Sequence, residues 1–164
     1  MFVISGSQWH GECEPSVSMH GKRAAIAQQE VRSMDLYELY EPKVLVVDDD
    51  QEMRRLLEDV LTREGFRITQ AANGSEALVE IRGTSYDVIV LDKIMTDMSG
   101  LEILPEIKRL QPEAQVILIT AFGDRETCVE AMGKGATAYL AKPFGMLVLV
   151  QMVKKAIEQK VGEA

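Results

Sequence analysis

Four carboxylates in this chain stand directly behind two apolar runs. Asp48, Asp49 and Asp50 follow Val44-Leu45-Val46-Val47, and Asp92 follows Val88-Ile89-Val90-Leu91. Continuous apolar runs of this length read as strands buried on both faces. In a parallel sheet with the two runs side by side, their carboxyl ends meet at one edge. Carboxylates brought to about 4 Å repel by roughly 4 kcal/mol per pair at an effective dielectric of about 20. A bound divalent cation is the usual compensation. Thr120 follows a third run, Val116-Ile117-Leu118-Ile119, and Lys142 follows Tyr139-Leu140-Ala141. A cation on carboxylates, with a hydroxyl and an ammonium beside it, suits a phosphoryl group: the metal neutralises oxygens, the lysine pairs with one and the hydroxyl donates to another.

Such residues need a frame, and the chain from Pro42 onward supplies one. Strands are predicted at Lys43–Val47, Phe66–Gln70, Asp87–Leu91, Gln115–Ile119 and Ala138–Leu140. Helices are predicted at Glu52–Arg63, Ser75–Arg82, Leu101–Leu110, Arg125–Gly133 and Met146–Lys160. The first helix carries Met53, Leu56, Leu57, Val60 and Leu61 at helical spacing and stops at Gly65. Pro105 is tolerable only near the first turn of its helix. The alternation implies a parallel sheet with helices on both faces. Ligands of such sheets bind outside the carboxyl ends of the strands, where the four groups lie.

Residues 1–41 read as an N-terminal extension. Met1 to Met19 shows no strand pattern and reads as a disordered tail, while Lys22 to Tyr40 has an imperfect helical period. Residues 42–164 form the domain. A net charge of −8 and a pI near 4.8 argue against a nucleic-acid or anionic-membrane surface. No apolar stretch approaches the ~20 residues of a membrane span, and the N-terminus lacks the charged start and apolar core of a signal peptide. Two cysteines, Cys13 and Cys128, make no disulfide framework, so a reducing, cytoplasmic setting is expected. His10, Cys13 and His20 match no zinc spacing.

The blocks ValLeuValValAspAspAsp, AspValIleValLeuAsp-x-x-Met, IleThrAla and AlaTyrLeuAlaLysProPhe resemble the signatures of the response regulator receiver domain of two-component signalling. They occur in order, with gaps of 43 residues (Asp49 to Asp92), 28 (Asp92 to Thr120) and 22 (Thr120 to Lys142). Each block is a weak match alone; four in order, on matching strands, are a strong one. The resemblance implies a flavodoxin-like (βα)5 doubly wound sheet of strand order 2-1-3-4-5. It implies that Asp92 accepts a phosphoryl group from a sensor histidine kinase or a histidine phosphotransfer protein. Asp48, Asp49, Asp92 and the main-chain carbonyl of Ile94 would hold Mg2+. Lys142 and Thr120 would engage the phosphoryl oxygens, Tyr139 would swing inward behind Thr120, and Lys142-Pro143 would be cis. Asp50 is left over and reads as a helix cap.

The chain departs from the family pattern in three places. Met95 is followed by Thr96 where the family usually has proline, so a less rigid loop to Gly100 is expected. Ile94 and Phe122, two residues beyond Asp92 and Thr120, flank the path of attacking water in this family. Both are apolar, and they are expected to exclude water and prolong the phosphoryl state. The last helix opens with Met146-Leu147-Val148-Leu149-Val150, apolar on every side, which calls for a cover. A homodimer through the fourth helix, fifth strand and fifth helix is slightly favoured over cover by residues 22–40.

The expected function is therefore a stand-alone receiver or phosphorelay intermediate, not a metabolic enzyme beyond self-phosphorylation and slow autodephosphorylation. Phosphorylation would switch a protein-binding surface toward a downstream protein target. No output module is expected after the last helix. The phosphoryl donor is expected beside Met53, Arg54 and Pro143-Phe144. The rival reading is a phosphohydrolase of the haloacid dehalogenase type with Asp48 as nucleophile, since Asp48-Asp49-Asp50 contains its Asp-x-Asp spacing. Glu52 stands where that family has threonine or valine, and three carboxylates after the first strand exclude a flavin phosphate loop there.

Overall fold

The computed structural model describes residues 3–4, 40–121 and 123–162. Six strands form one parallel sheet: β1 (Val3–Ile4), β2 (Lys43–Val47), β3 (Arg67–Ala71), β4 (Val88–Asp92), β5 (Gln115–Thr120) and β6 (Ala138–Ala141). Five helices alternate with them: α1 (Gln51–Arg63), α2 (Gly74–Gly83), α3 (Gly100–Leu110), α4 (Arg125–Gly133) and α5 (Met146–Gly162). The sheet runs β1-β6-β5-β4-β2-β3. Counted from the Lys43 strand, the five main strands have the expected order 2-1-3-4-5. The reading of residues 1–19 without a strand is corrected in one respect: Val3–Ile4 pairs with Tyr139–Leu140 at the β6 edge. The expected helix over residues 22–40 lies outside the described residues, apart from Tyr40.

Period-two alternation divides the core. Leu45, Val47, Ile89, Leu91, Val116, Leu118 and Tyr139 face α2, α3 and α4. Val44, Val46, Val88, Val90, Ile117, Ile119 and Leu140 face α1 and α5. Both sets are buried, which is why these strands read as unbroken apolar runs and not as alternating ones.

Helix starts follow local chemistry. Asp50 caps α1 by accepting from the Glu52 and Met53 amides, and Ser99 with Glu102 forms a capping box on α3. Pro105 lies at the sixth residue of α3, beyond the first turn. It withholds the amide that would bond the Leu101 carbonyl, and the Lys134 ammonium of the α4 C-terminus donates to that carbonyl instead, at 3.2 Å.

The all-round apolar start of α5 is largely covered by the chain itself. Leu149 and Val150 are buried, and Met146 and Val148 pack against the core. Of this stretch only Leu147, 69% exposed, is open. The sheet takes up more of the helix circumference than a single stripe would.

Candidate functional site

Strand register assembles the site. Val47 pairs with Leu91 across β2 and β4, so the next residues, Asp48 and Asp92, emerge side by side. Asp92 pairs with Ile119, one residue before Thr120 on β5. Thr120 pairs with Ala141, one residue before Lys142 on β6. The Lys142 amide donates to the Thr120 carbonyl at 2.7 Å, which extends the ladder by one rung.

Asp48 and Asp92 are buried and Asp49 is exposed, yet each offers an oxygen within 4.8 Å of the others. The Lys142 ammonium spans two strands to reach them, 3.3 Å from Asp48 Oδ2 and 3.4 Å from Asp92 Oδ2. Asp48 Oδ1 accepts from the Asp50 amide at 2.8 Å. Its carbonyl accepts from the Arg54 guanidinium at 2.6 Å, and Arg54 also donates to Gln70. Arg54, expected at a docking surface, thus also braces the acidic loop.

Burial and the Asp48 carboxylate push the Asp92 carboxyl up to about 6, against the opposing pull of Lys142 and the Ile94 amide. Burial works to lower the Lys142 ammonium, but Asp92 and Asp48 overcome it and raise it. One ammonium facing three carboxylates leaves the cluster electron-rich. The donor set, all hard oxygen with one exposed member, fits a small divalent cation. Ile94 is half exposed at the rim. Phe122 lies outside the described residues.

Tyr139 is already inward, 1% exposed. Burial raises its hydroxyl above the ordinary tyrosine range, as does the nearby Asp124 charge, while hydrogen bonds from Thr120 and the Asp124 amide act in the other direction. The Lys142–Pro143 bond is cis.

The loop after Asp92 carries anchors that sequence reading missed. Asp97 accepts from the Gly74 and Ser75 amides and the Ser75 hydroxyl at 2.9–3.0 Å, tying the loop to the start of α2. Burial works upward on its carboxyl, but these donors and the Met98 amide hold it down at about 2. The Lys93 carbonyl accepts from the Gly100 amide and the Ser99 hydroxyl. These bonds supply constraint where the family's proline is absent. A contact spanning 22 residues leaves no local signal, though the Asn73-Gly74 turn marked its receiving end.

A family model for the response regulator receiver domain matches residues 44–154. The chain belongs to the response regulator receiver family. It is 32% identical to the chemotaxis protein CheY of Thermotoga maritima over 114 residues, covering 69% of this chain and 95% of that protein. It is 36% identical to the sporulation initiation phosphotransferase F of Bacillus subtilis over 118 residues, 72% of this chain and 95% of that one. A CheY-like receiver domain protein from Methanospirillum hungatei superposes with a TM-score of 0.74 at 27% identity, covering 76% of this chain and all of that one. The receiver also spans about a quarter of longer transcriptional regulators that it matches. As a receiver of two-component signalling, it falls in a family whose members are generally not turnover enzymes. No helix among the described residues is long and apolar enough to cross a membrane.

Proposed function

We propose that this receiver accepts a phosphoryl group on Asp92 from a histidine kinase or a histidine phosphotransfer protein, and that the modification switches a protein-binding surface. The observation that carries the reading is the placement of Asp92 between two further carboxylates and Lys142 at the carboxyl edge of the sheet.

In the proposed reaction an Asp92 carboxylate oxygen attacks the phosphorus of a phosphohistidine. The P–O bond forms, the P–N bond breaks, and the departing imidazole nitrogen takes up a proton from solvent. Asp48, Asp49, Asp92 and the Ile94 carbonyl would hold Mg2+, which supplies charge neutralisation of the phosphoryl oxygens. Lys142 stays within reach of the transferred group and balances part of its charge. Thr120, buried behind Asp92 on the next strand, donates to a phosphoryl oxygen, and Tyr139 packs behind it. Ile94 and Phe122 slow hydrolysis by keeping attacking water out, and Asp50 serves only as the α1 cap.

The donor docks over Met53, Arg54, Pro143 and Phe144, around the mouth of the acidic pocket. A downstream protein reads the face of α4, β6 and α5, where Val129 and Leu147 are exposed; a homodimer through that face is the alternative use of the same apolar residues.

Incubating the full chain with acetyl phosphate and Mg2+, then mapping the modified peptide by mass, tests the reading. Modification is expected on Asp92 and lost in Asp92→Asn. A label on Asp48, as a phosphohydrolase would carry, or a folded protein with no label, overturns it.

A further inference from the structure

Lys93, the residue after Asp92, does no chemistry in the reaction above, yet it joins more elements than any neighbour in its loop. Its amide donates to the Ile119 carbonyl at 2.7 Å, and its carbonyl accepts from the Gly100 amide at 2.8 Å. The backbone of residue 93 is thereby fixed to β5 on one side and to the start of α3 on the other. From that fixed point its ammonium crosses to α4 and donates to the Thr127 hydroxyl at 2.8 Å. Thr127 is buried, and the same hydroxyl donates to Asp124 Oδ2 at 3.0 Å, so its one proton and an accepting lone pair are both committed.

Asp124 is the N-cap of α4, accepting the Thr127 amide on Oδ1 at 2.6 Å. The Thr127 amide and hydroxyl, and then the Lys93 charge, keep its carboxyl below the usual range. Tyr139 neighbours this cap: the Asp124 charge raises its hydroxyl, while the Asp124 amide and the Thr120 side chain act in the other direction. Hydrogen bonds therefore lead from the backbone that carries Asp92, through Lys93 and Thr127, to Asp124, which neighbours Tyr139.

We propose that Lys93 is a positioning residue: its ammonium latches the first turn of α4 to the Asp92 backbone and holds Tyr139 buried before any phosphoryl group arrives. The regulatory consequence rests on Asp92 being the phospho-acceptor; the latch itself does not. A chain whose switch surface is already set loses less freedom when the phosphoryl group binds. Breaking the latch lowers the fraction in the competent arrangement, and apparent affinity falls by that fraction. The bond joins an ionised donor to an oriented hydroxyl at a partly open site, so a loss of roughly threefold to tenfold is expected.

The test uses the full chain with Lys93→Met, Thr127→Val and the double substitution. Amide exchange at Thr127 and Cys128 is measured without phosphoryl ligand, and beryllofluoride is titrated at saturating Mg2+. Both single variants are expected to speed exchange in the first turn of α4 and to weaken beryllofluoride roughly threefold to tenfold. The double variant is expected to be no weaker than Thr127→Val alone, because Lys93→Met removes only the Lys93–Thr127 bond, which Thr127→Val removes together with the Thr127–Asp124 bond. Mg2+ affinity without beryllofluoride stays unchanged in Thr127→Val, which alters no charge and no metal-facing group.

Wild-type exchange and affinity in Thr127→Val, with a loss only in Lys93→Met, would mean that the lysine acts directly on the phosphoryl charge, and would overturn the latch. Strictly additive losses would overturn it as well. A wild-type chain that takes no beryllofluoride defeats the phospho-acceptor reading instead, while the exchange measurement still decides the latch.

Discussion

At the scale of the residue, Asp92 shows how its proposed function is set against stability. Its carboxyl is shifted upward to about 6, chiefly by burial and then by Asp48. An acid with a raised pKa in the folded state binds its proton more tightly there than in the unfolded chain. Folding therefore loses stability as pH rises from about 4 to about 6, and the deficit is complete above that window. The shift corresponds to on the order of 2 kcal/mol after allowance for solvent screening. Without metal, Asp92→Asn is expected to be more stable than the natural chain at about pH 7.5, by that order, with the gap closing near pH 4.5. Urea denaturation at the two pH values measures it. A gap independent of pH would show that the substitution acts through packing instead of charge. Added Mg2+ should narrow the gap at neutral pH by stabilising the natural chain, because binding to the folded state adds to its stability.

At the scale of the element, the turn from β4 into α3 has almost no spare space. A methyl on Gly100 would press into the Asp92 carbonyl oxygen and lie 3.1 Å from the Leu91 Cγ. The opposing atom is backbone, held in the β4 ladder, and cannot swing away. Gly100→Ala is expected to cost about 2–4 kcal/mol and to weaken Mg2+ binding by displacing Asp92. Gly83→Ala, at the open end of α2 with nothing within 4 Å of the added carbon, is the control and should be neutral or slightly stabilising. Equal losses in the two variants, read by denaturation, would remove the steric account. The same loop shows why Met95-Thr96 is no defect. Asp97 ties it to α2 and Ser99 starts α3, so side-chain hydrogen bonds constrain the backbone where a proline ring otherwise would.

At the scale of the whole molecule, the sheet has one edge at β3 and the other at β1, which lies against β6 and its inward Tyr139. An unpaired edge strand is a template for association. Removing residues 1–5 takes away the strand that pairs with Tyr139 and Leu140 of β6, and concentration-dependent self-association is expected by sedimentation velocity. A truncated chain that stays monomeric at every concentration would show that β1 does not serve as an edge cover. At the opposite, amino end of the strands, Asp87 accepts from Tyr40, the Lys43 amide and Lys160. That cluster fastens α5 to the sheet far from the chemistry, leaving the carboxyl edge free to respond.

What the sequence determined by itself was the alternation of elements, and through it the edge where Asp48, Asp49, Asp92, Thr120 and Lys142 had to meet. Parallel strands buried on both faces leave a coarse signal, unbroken apolar runs, and the runs ended on polar groups: carboxylates after two of them, a hydroxyl and an ammonium after the others. The cap of α1 was legible as well, because Asp50 bonds amides only two and three residues away. The tertiary structure alone decided what depends on side chains crossing between elements. Lys142 reaching back over two strands, Asp97 on α2, Lys134 on the carbonyl released by Pro105 and Lys93 on α4 all join residues far apart in the chain. It also decided how much of α5 needed a cover. Periodicity reports that the start of this helix is apolar all round, but only the packed sheet shows that its own domain buries Leu149 and Val150, partly covers Met146 and Val148, and leaves Leu147 open.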